Sequence, residues 1–202
     1  MFGLALFGIG ISLLIAADLG AAPWDVFHTG VSDRTGIPVG TVIILTGIAL
    51  LTLWVPLGER LGIGTVLNAV EIGVAVDLVL PHLADDAPLA ARLAMMAGGV
   101  VVVAVGSGFY IGAGLGPGPR DGLMTGLAKR GWSIRLARTG IELSVLAIGV
   151  ALGGAIGLGT AVFALGIGPL VEVFLPRLTL GERRHEPATG SAERGLWRRA
   201  AR

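Results

Sequence analysis

The residues that could do chemistry here are acids set in apolar surroundings. Glu71 lies about ten residues from either end of the apolar stretch 62–81. A carboxylate at the centre of a membrane helix costs ~3 kcal/mol on insertion scales, so it must face the protein interior, pair, or carry a proton. Gly64, Asn68, Glu71 and Ala75 share one helix face. Asn68 can therefore hydrogen-bond a group held by Glu71, which makes the two a candidate binding site for a proton or a solute. Glu142 follows Arg138 at a spacing that lets the side chains meet, and a structural ion pair is expected there. Asp77 and Glu172 lie nearer the ends of their stretches. They are expected to bond or pair at an interface between the two halves of the chain.

A second candidate site rests on two Pro-x-Asp elements, Pro23-Trp24-Asp25 and Pro119-Arg120-Asp121. Proline suits the first position of a helix, where no amide hydrogen is needed. Asp25 and Asp121 then fall in the first turn, where free amides and the helix dipole favour a carboxylate. Thr29 and Thr125 follow one turn later and could bind polar atoms. Two placements are open: an amphipathic helix lying at the membrane surface with a capping aspartate, or a half-helix that re-enters the protein. In the second, the two elements face each other near the midplane. The aspartates offset the positive helix ends, so a proton, a cation or an amine-bearing solute fits better than an anion.

Other chemistry has little to stand on. There is no cysteine, and hence no disulfide, thiolate or Cys-based metal site. His28, His82 and His185 are far apart in the chain. The run Gly112 to Gly118 lacks the Lys-Ser/Thr of a phosphate loop, and hydrolase and metalloprotease signatures are missing. A non-enzyme without cofactor, metal or nucleic-acid partner is expected.

The elements that position these residues are apolar helices. Of 202 residues, 53% are hydrophobic and 14% charged, against about a quarter charged in a soluble domain. Mean hydropathy is +0.82. Six segments approach the ~20 residues needed to span a bilayer: 2–17, 39–57, 62–81, 93–113, 134–153 and 157–176. The first is short, rising ~24 Å, and lacks the basic start of a signal peptide. Either the native start lies upstream or this helix does not cross alone.

The chain also repeats itself. Leu19-Gly20-x-x-Pro23-Trp24-Asp25 matches Leu115-Gly116-x-x-Pro119-Arg120-Asp121, each followed by Thr-Gly. Gly62-x-Gly64-Thr65 matches Gly157-x-Gly159-Thr160, and Gly73, Asp77 and Pro81 match Gly168, Glu172 and Pro176. Unit one is 1–83 and unit two 97–178, joined by 84–96, a loop and the start of the fourth long helix. Each unit reads as helix, short segment, helix, helix, and so crosses three times. Two odd units in tandem must lie inverted, an arrangement common in transporters. The expected fold is all-α, with six transmembrane helices in two inverted three-helix repeats, each with a short non-spanning or re-entrant helix. The tail 179–202 is polar and basic, and a disordered cytoplasmic segment is expected.

Charge fixes an expected orientation. With both termini cytoplasmic, only Arg34 and Arg92 of the 15 basic residues lie outside; the inner side includes Arg120 and Lys129.

The Leu-Gly-x-x-Pro-Trp-Asp signature, the Gly-x-Gly-Thr run with Asn68 beyond it, and Asp77 resemble the YczE/YyaS/YitT-type bacterial membrane proteins, closest to the YczE branch. The resemblance covers about 1–178, and unit two departs from it at Arg120. It implies a multi-pass protein of the bacterial cytoplasmic membrane and says little about activity. The inverted repeats and intramembrane acids favour secondary transport of a small solute, with proton coupling left open. The alternative is a non-catalytic scaffold or assisting factor, with the lipid bilayer as the certain partner in either case. Reporter fusions after Pro81 and after Arg202 should report outside and inside respectively; the same answer from both would refute three crossings per unit.

Overall fold

The structure is a computed structural model that describes residues 1–84, 86–114 and 116–178. Asp85, Leu115 and the tail expected to be disordered lie outside the described residues. The described residues form eight α-helices: α1 Phe2–Ala16, α2 Pro23–Thr35, α3 Val39–Leu57, α4 Ile63–Val79, α5 Leu89–Gly112, α6 Pro119–Ala128, α7 Ile134–Ala151 and α8 Leu158–Leu178, with a 3₁₀ turn at Leu80–His82. No strand occurs among the described residues. Both short helices, α2 and α6, begin with their proline at the first position. Glycines in the left-handed region end α2 at Gly36 and α3 at Gly58, where a side chain would be strained.

Among the described residues, four helices are long and apolar enough to cross a membrane: 39–57, 63–82, 89–112 and 158–178. Two of the six expected spans fall short. α1 has only 15 residues, and α7, with 18, carries Arg135, Arg138 and Glu142.

Glycine sets how closely the helices pack. At the centre, α1 crosses α5. A methyl group on Gly10 would lie 2.9 Å from the Gly99 carbonyl oxygen, and one on Gly3 would lie 2.9 Å from that of Gly106. Early α1 thus meets late α5 and late α1 meets early α5, so the two run antiparallel with backbones nearly touching. α4 packs on the outside of α1, and α8 on the outside of α5. Leu4, Ile11, Leu14, Val76 and Val103 form part of the buried core between them.

The short helices cross over: α2 packs against α7, and α6 against α3. The repeated motifs make this exchange. Gly159 of the second Gly-x-Gly-Thr run donates its amide to the Leu19 carbonyl at 2.7 Å, and Gly20 (φ 93°) has no room for a side chain against Gly157. In the other half, Thr65 of the first run donates its hydroxyl to the Pro117 carbonyl at 2.8 Å. Each half holds the loop that launches the other's Pro-x-Asp helix.

The halves differ at one seam. α3 lies tight on α4, with the Gly40 and Gly73 backbones in contact. Asp77 accepts the Gly40 amide at 2.5 Å and the Thr41 hydroxyl at 2.7 Å, serving the free amide end of α3. The expected bonding of Asp77 is present but lies within the first half, not between halves. α7 and α8 have no comparable packing among the described residues. Arg135 and Leu136, at the start of α7, are too large for a Gly40-type crossing, and Glu172 is exposed on α8. Gly40→Ala should lower stability by about 1–3 kcal/mol through overpacking. Gly140→Ala, at a helical position with nothing within 4 Å, should be neutral or slightly stabilising. Thermal unfolding in detergent would compare them; equal midpoints would show that the α3–α4 seam is not tight.

Candidate functional site

The amino ends of α2 and α6 meet in the interior and border a cavity of about 370 Å³. Trp54 fixes the start of α6. Its indole donates to the Pro119 carbonyl at 3.0 Å, and its ring lies where a side chain on Gly122 would be. Tyr110 donates its hydroxyl to the Gly116 carbonyl at 2.9 Å. Across the cavity, Gly149 and Gly154 let α7 approach the backbone of Val26 and Phe27 in α2. The polar lining thereby comes from both halves: Asp25, His28, Asn68, Arg120, Asp121, Arg138 and Glu142. The apolar walls include Phe7, Ile11, Ile43, Phe163 and Ile167.

At its centre the Arg120 guanidinium lies over the Trp24 ring, 4.8 Å from the centroid. These two residues occupy the same position of the repeated motif. The stack is a cation–π contact worth on the order of 1 kcal/mol. Among the described residues Arg120 makes no hydrogen bond. Asp25 is 1% exposed and His28 is fully buried. His28 Nδ1 lies 3.7 Å from Asp25 Oδ1, beyond hydrogen-bond range, and neither that oxygen nor either imidazole nitrogen has a hydrogen-bond partner. Asp121 remains exposed. A methyl group on Gly118 would lie 3.3 Å from both Asp121 Oδ2 and Asn68 Oδ1, so the two side chains flank one point. Arg138 donates to Glu142 at 3.0 Å. Three carboxylates thus share the cavity with two guanidiniums and a histidine.

Both aspartates of the Pro-x-Asp elements come together here, as does Asn68. Glu71 does not line the cavity; its Oε2 lies 3.7 Å from the Met1 amino group. The threonines are also elsewhere. Thr29 donates to the Val26 carbonyl of its own helix. Thr125 donates to Glu59 and to Gly122, because helix α6 turns that face toward the end of α3. Lys129 completes this contact, 2.8 Å from Glu59, and its hydrogen bond, with that of Thr125, holds the Glu59 carboxyl below the usual carboxylate range. The expected Arg138–Glu142 pair forms, but at the cavity wall. Arg120, counted with the cytoplasmic loop charges, lies instead against Trp24 in the interior.

Sequence reasoning missed His28 and Arg120 as site residues. A signal existed for each. His28 follows Asp25 by three positions on the same short helix, and Arg120 is where the second motif departs from the first.

Long apolar helices, glycine-mediated crossings and an interior charge cluster define an all-helical membrane protein with a polar-floored cavity. Residues 1–176 match a family of unknown function, DUF6198. An uncharacterized protein of Haemophilus influenzae is 38% identical over 87% of this chain and 81% of its own length. The uncharacterized membrane protein YczE of Bacillus subtilis is 37% identical over 87% and 83%, and YyaS of the same organism 30% identical over 86% and 89%. The chain belongs to this family. No solved structure matches it.

In this cysteine-free chain the double variant Trp24→Cys/Arg120→Cys should be joined efficiently by a short bifunctional thiol reagent. Absence of that product, with each cysteine singly reactive, would place the two helix starts apart.

Proposed function

We propose that this chain is a secondary transporter of a small solute across the bacterial cytoplasmic membrane, coupled to protons and without enzymatic activity. The observation that carries the reading is the cavity, to which equivalent elements of both halves contribute unpaired polar groups. Burying such groups costs several kcal/mol per ion. A scaffold gains nothing from an interior charge cluster, whereas a carrier needs groups that a solute and a proton can complete.

The halves read as inverted units. Antiparallel α1 and α5, and the reciprocal packing of α2 on α7 and α6 on α3, are what a two-fold axis in the membrane plane produces. α1 and α7 then serve as the two remaining spans, giving six, with both termini cytoplasmic. α2 and α6 are the re-entrant half-helices, and the Trp24–Arg120 stack marks the axis. Three carboxylates against two guanidiniums leave one negative charge when His28 is neutral. A proton taken up beside Asp25, whose carboxylate favours it, balances that charge.

The test needs no substrate. Asn68→Cys places a thiol in the cavity. A carrier alternates its access, so membrane-impermeant thiol reagents should modify this cysteine from either face, in right-side-out and inverted vesicles alike. Labelling from one face only, or from neither, in protein that is folded and inserted would favour the scaffold.

A further inference from the structure

We infer that the solute is a small zwitterion with an apolar body, its carboxylate held by Arg120 and its ammonium by Asp121 and Asn68. The inference deepens the transport reading and rests on it for the solute's being carried; binding can be tested separately.

The groups left unused in the cavity are of both signs. The Trp24 ring covers one face of the Arg120 guanidinium. Its edge is free of hydrogen bonds among the described residues, and a guanidinium edge matches a carboxylate with two parallel N–H donors. Asp121 Oδ2 and Asn68 Oδ1 flank one point beside Gly118, at the start of the helix that carries Arg120. The Asp121 carboxylate suits an ammonium, and the Asn68 amide beside it, whose oxygen and nitrogen lie 3.3 and 3.4 Å from that point, can turn its oxygen to the same group. Arg138 and Glu142 are already joined by one hydrogen bond, and buried Asp25 with His28 forms the separate pair assigned to the proton. Arg120 and Asp121 are thus left for the solute.

Single-charge ligands fit less well. A bare anion adds to an existing excess of carboxylates. A bare amine leaves the guanidinium edge without a partner of its own. A metal ion finds no group of three or more His, Asp or Glu among the described residues. Phe7, Ile11, Phe163 and Ile167 supply apolar wall, which an inorganic ion would not use. At about 370 Å³, the cavity is within the range of small-molecule sites.

Calorimetric titration of the purified protein in nanodiscs would decide it. The probes are leucine, valine, phenylalanine and 6-aminohexanoate, with 3-methylbutylamine and 4-methylpentanoate as the two halves of leucine. At least one zwitterion should bind, and each half should bind at least about tenfold more weakly than leucine or than the best zwitterion. Arg120→Gln should erase the advantage of the zwitterion over the amine; Asp121→Asn should erase its advantage over the carboxylate. Arg120→Lys keeps the charge but not the fork, and should lose at least tenfold in affinity while folding normally. An amine that binds as tightly as every zwitterion, or a panel with no binder, would overturn the inference. If Asn68→Cys is still labelled from both faces in that event, the transport reading stands and only the solute class is wrong.

Discussion

The constraint on which this structure depends is the gathering of an unequal set of charges around two short helix ends, with Asp25 and His28 buried and Arg120 half-buried. A charge held among apolar side chains needs a partner or a neutralising proton. Trp24 and Arg120 meet that need in part. The indole face gives the guanidinium an electrostatic partner that uses none of its hydrogen-bond donors. A carboxylate in the same place would tie up the guanidinium edge and close the cavity chemically. Aromatic stacking therefore keeps a half-buried cation both tolerated and available.

The exchange of loops makes that arrangement rigid. Each Gly-x-Gly-Thr run grips the loop preceding the other half's Pro-x-Asp helix, through the Gly159–Leu19 and Thr65–Pro117 hydrogen bonds. Trp54 then pins α6 from α3, and glycines on α7 admit α2. Neither half can form its part of the cavity alone, because the element that positions each aspartate belongs to the other.

The halves are not mechanically equal. The first closes α3 on α4 through Gly40, Gly73 and the Asp77 cap. The second has arginine and leucine at the start of α7 and leaves α7 apart from α8. Arg138 and Glu142 sit on that looser wall, and their ion pair spans one helical turn of a single helix rather than tying two helices together. Sequence divergence between the halves has thus produced one firm side and one loose side around a shared cavity.

Much of this was legible in the residues themselves. Apolar stretches located the long helices, because lipid or core burial demands them. Proline and aspartate spacing located α2 and α6, because a helix start has local requirements. The internal repeat put Asp25 and Asp121 in equivalent positions and so made their convergence expected. Glu71 marks where such reasoning ends. Its depth in an apolar helix made it the sharpest candidate, yet rotation about the α4 axis points Asn68 into the cavity and Glu71 toward the chain's amino end. Thr29 and Thr125 fail for the same reason, since helical facing depends on which neighbour a helix packs against. Composition and motif spacing determined that the chain is helical, membrane-embedded and internally repeated, because these follow from local chemistry. Only the tertiary structure decided that Arg120 leaves the loop to lie on Trp24 and that the face of α2 carrying Asp25 and His28 is buried, because the first needs a contact between distant segments and the second depends on which neighbours cover the helix.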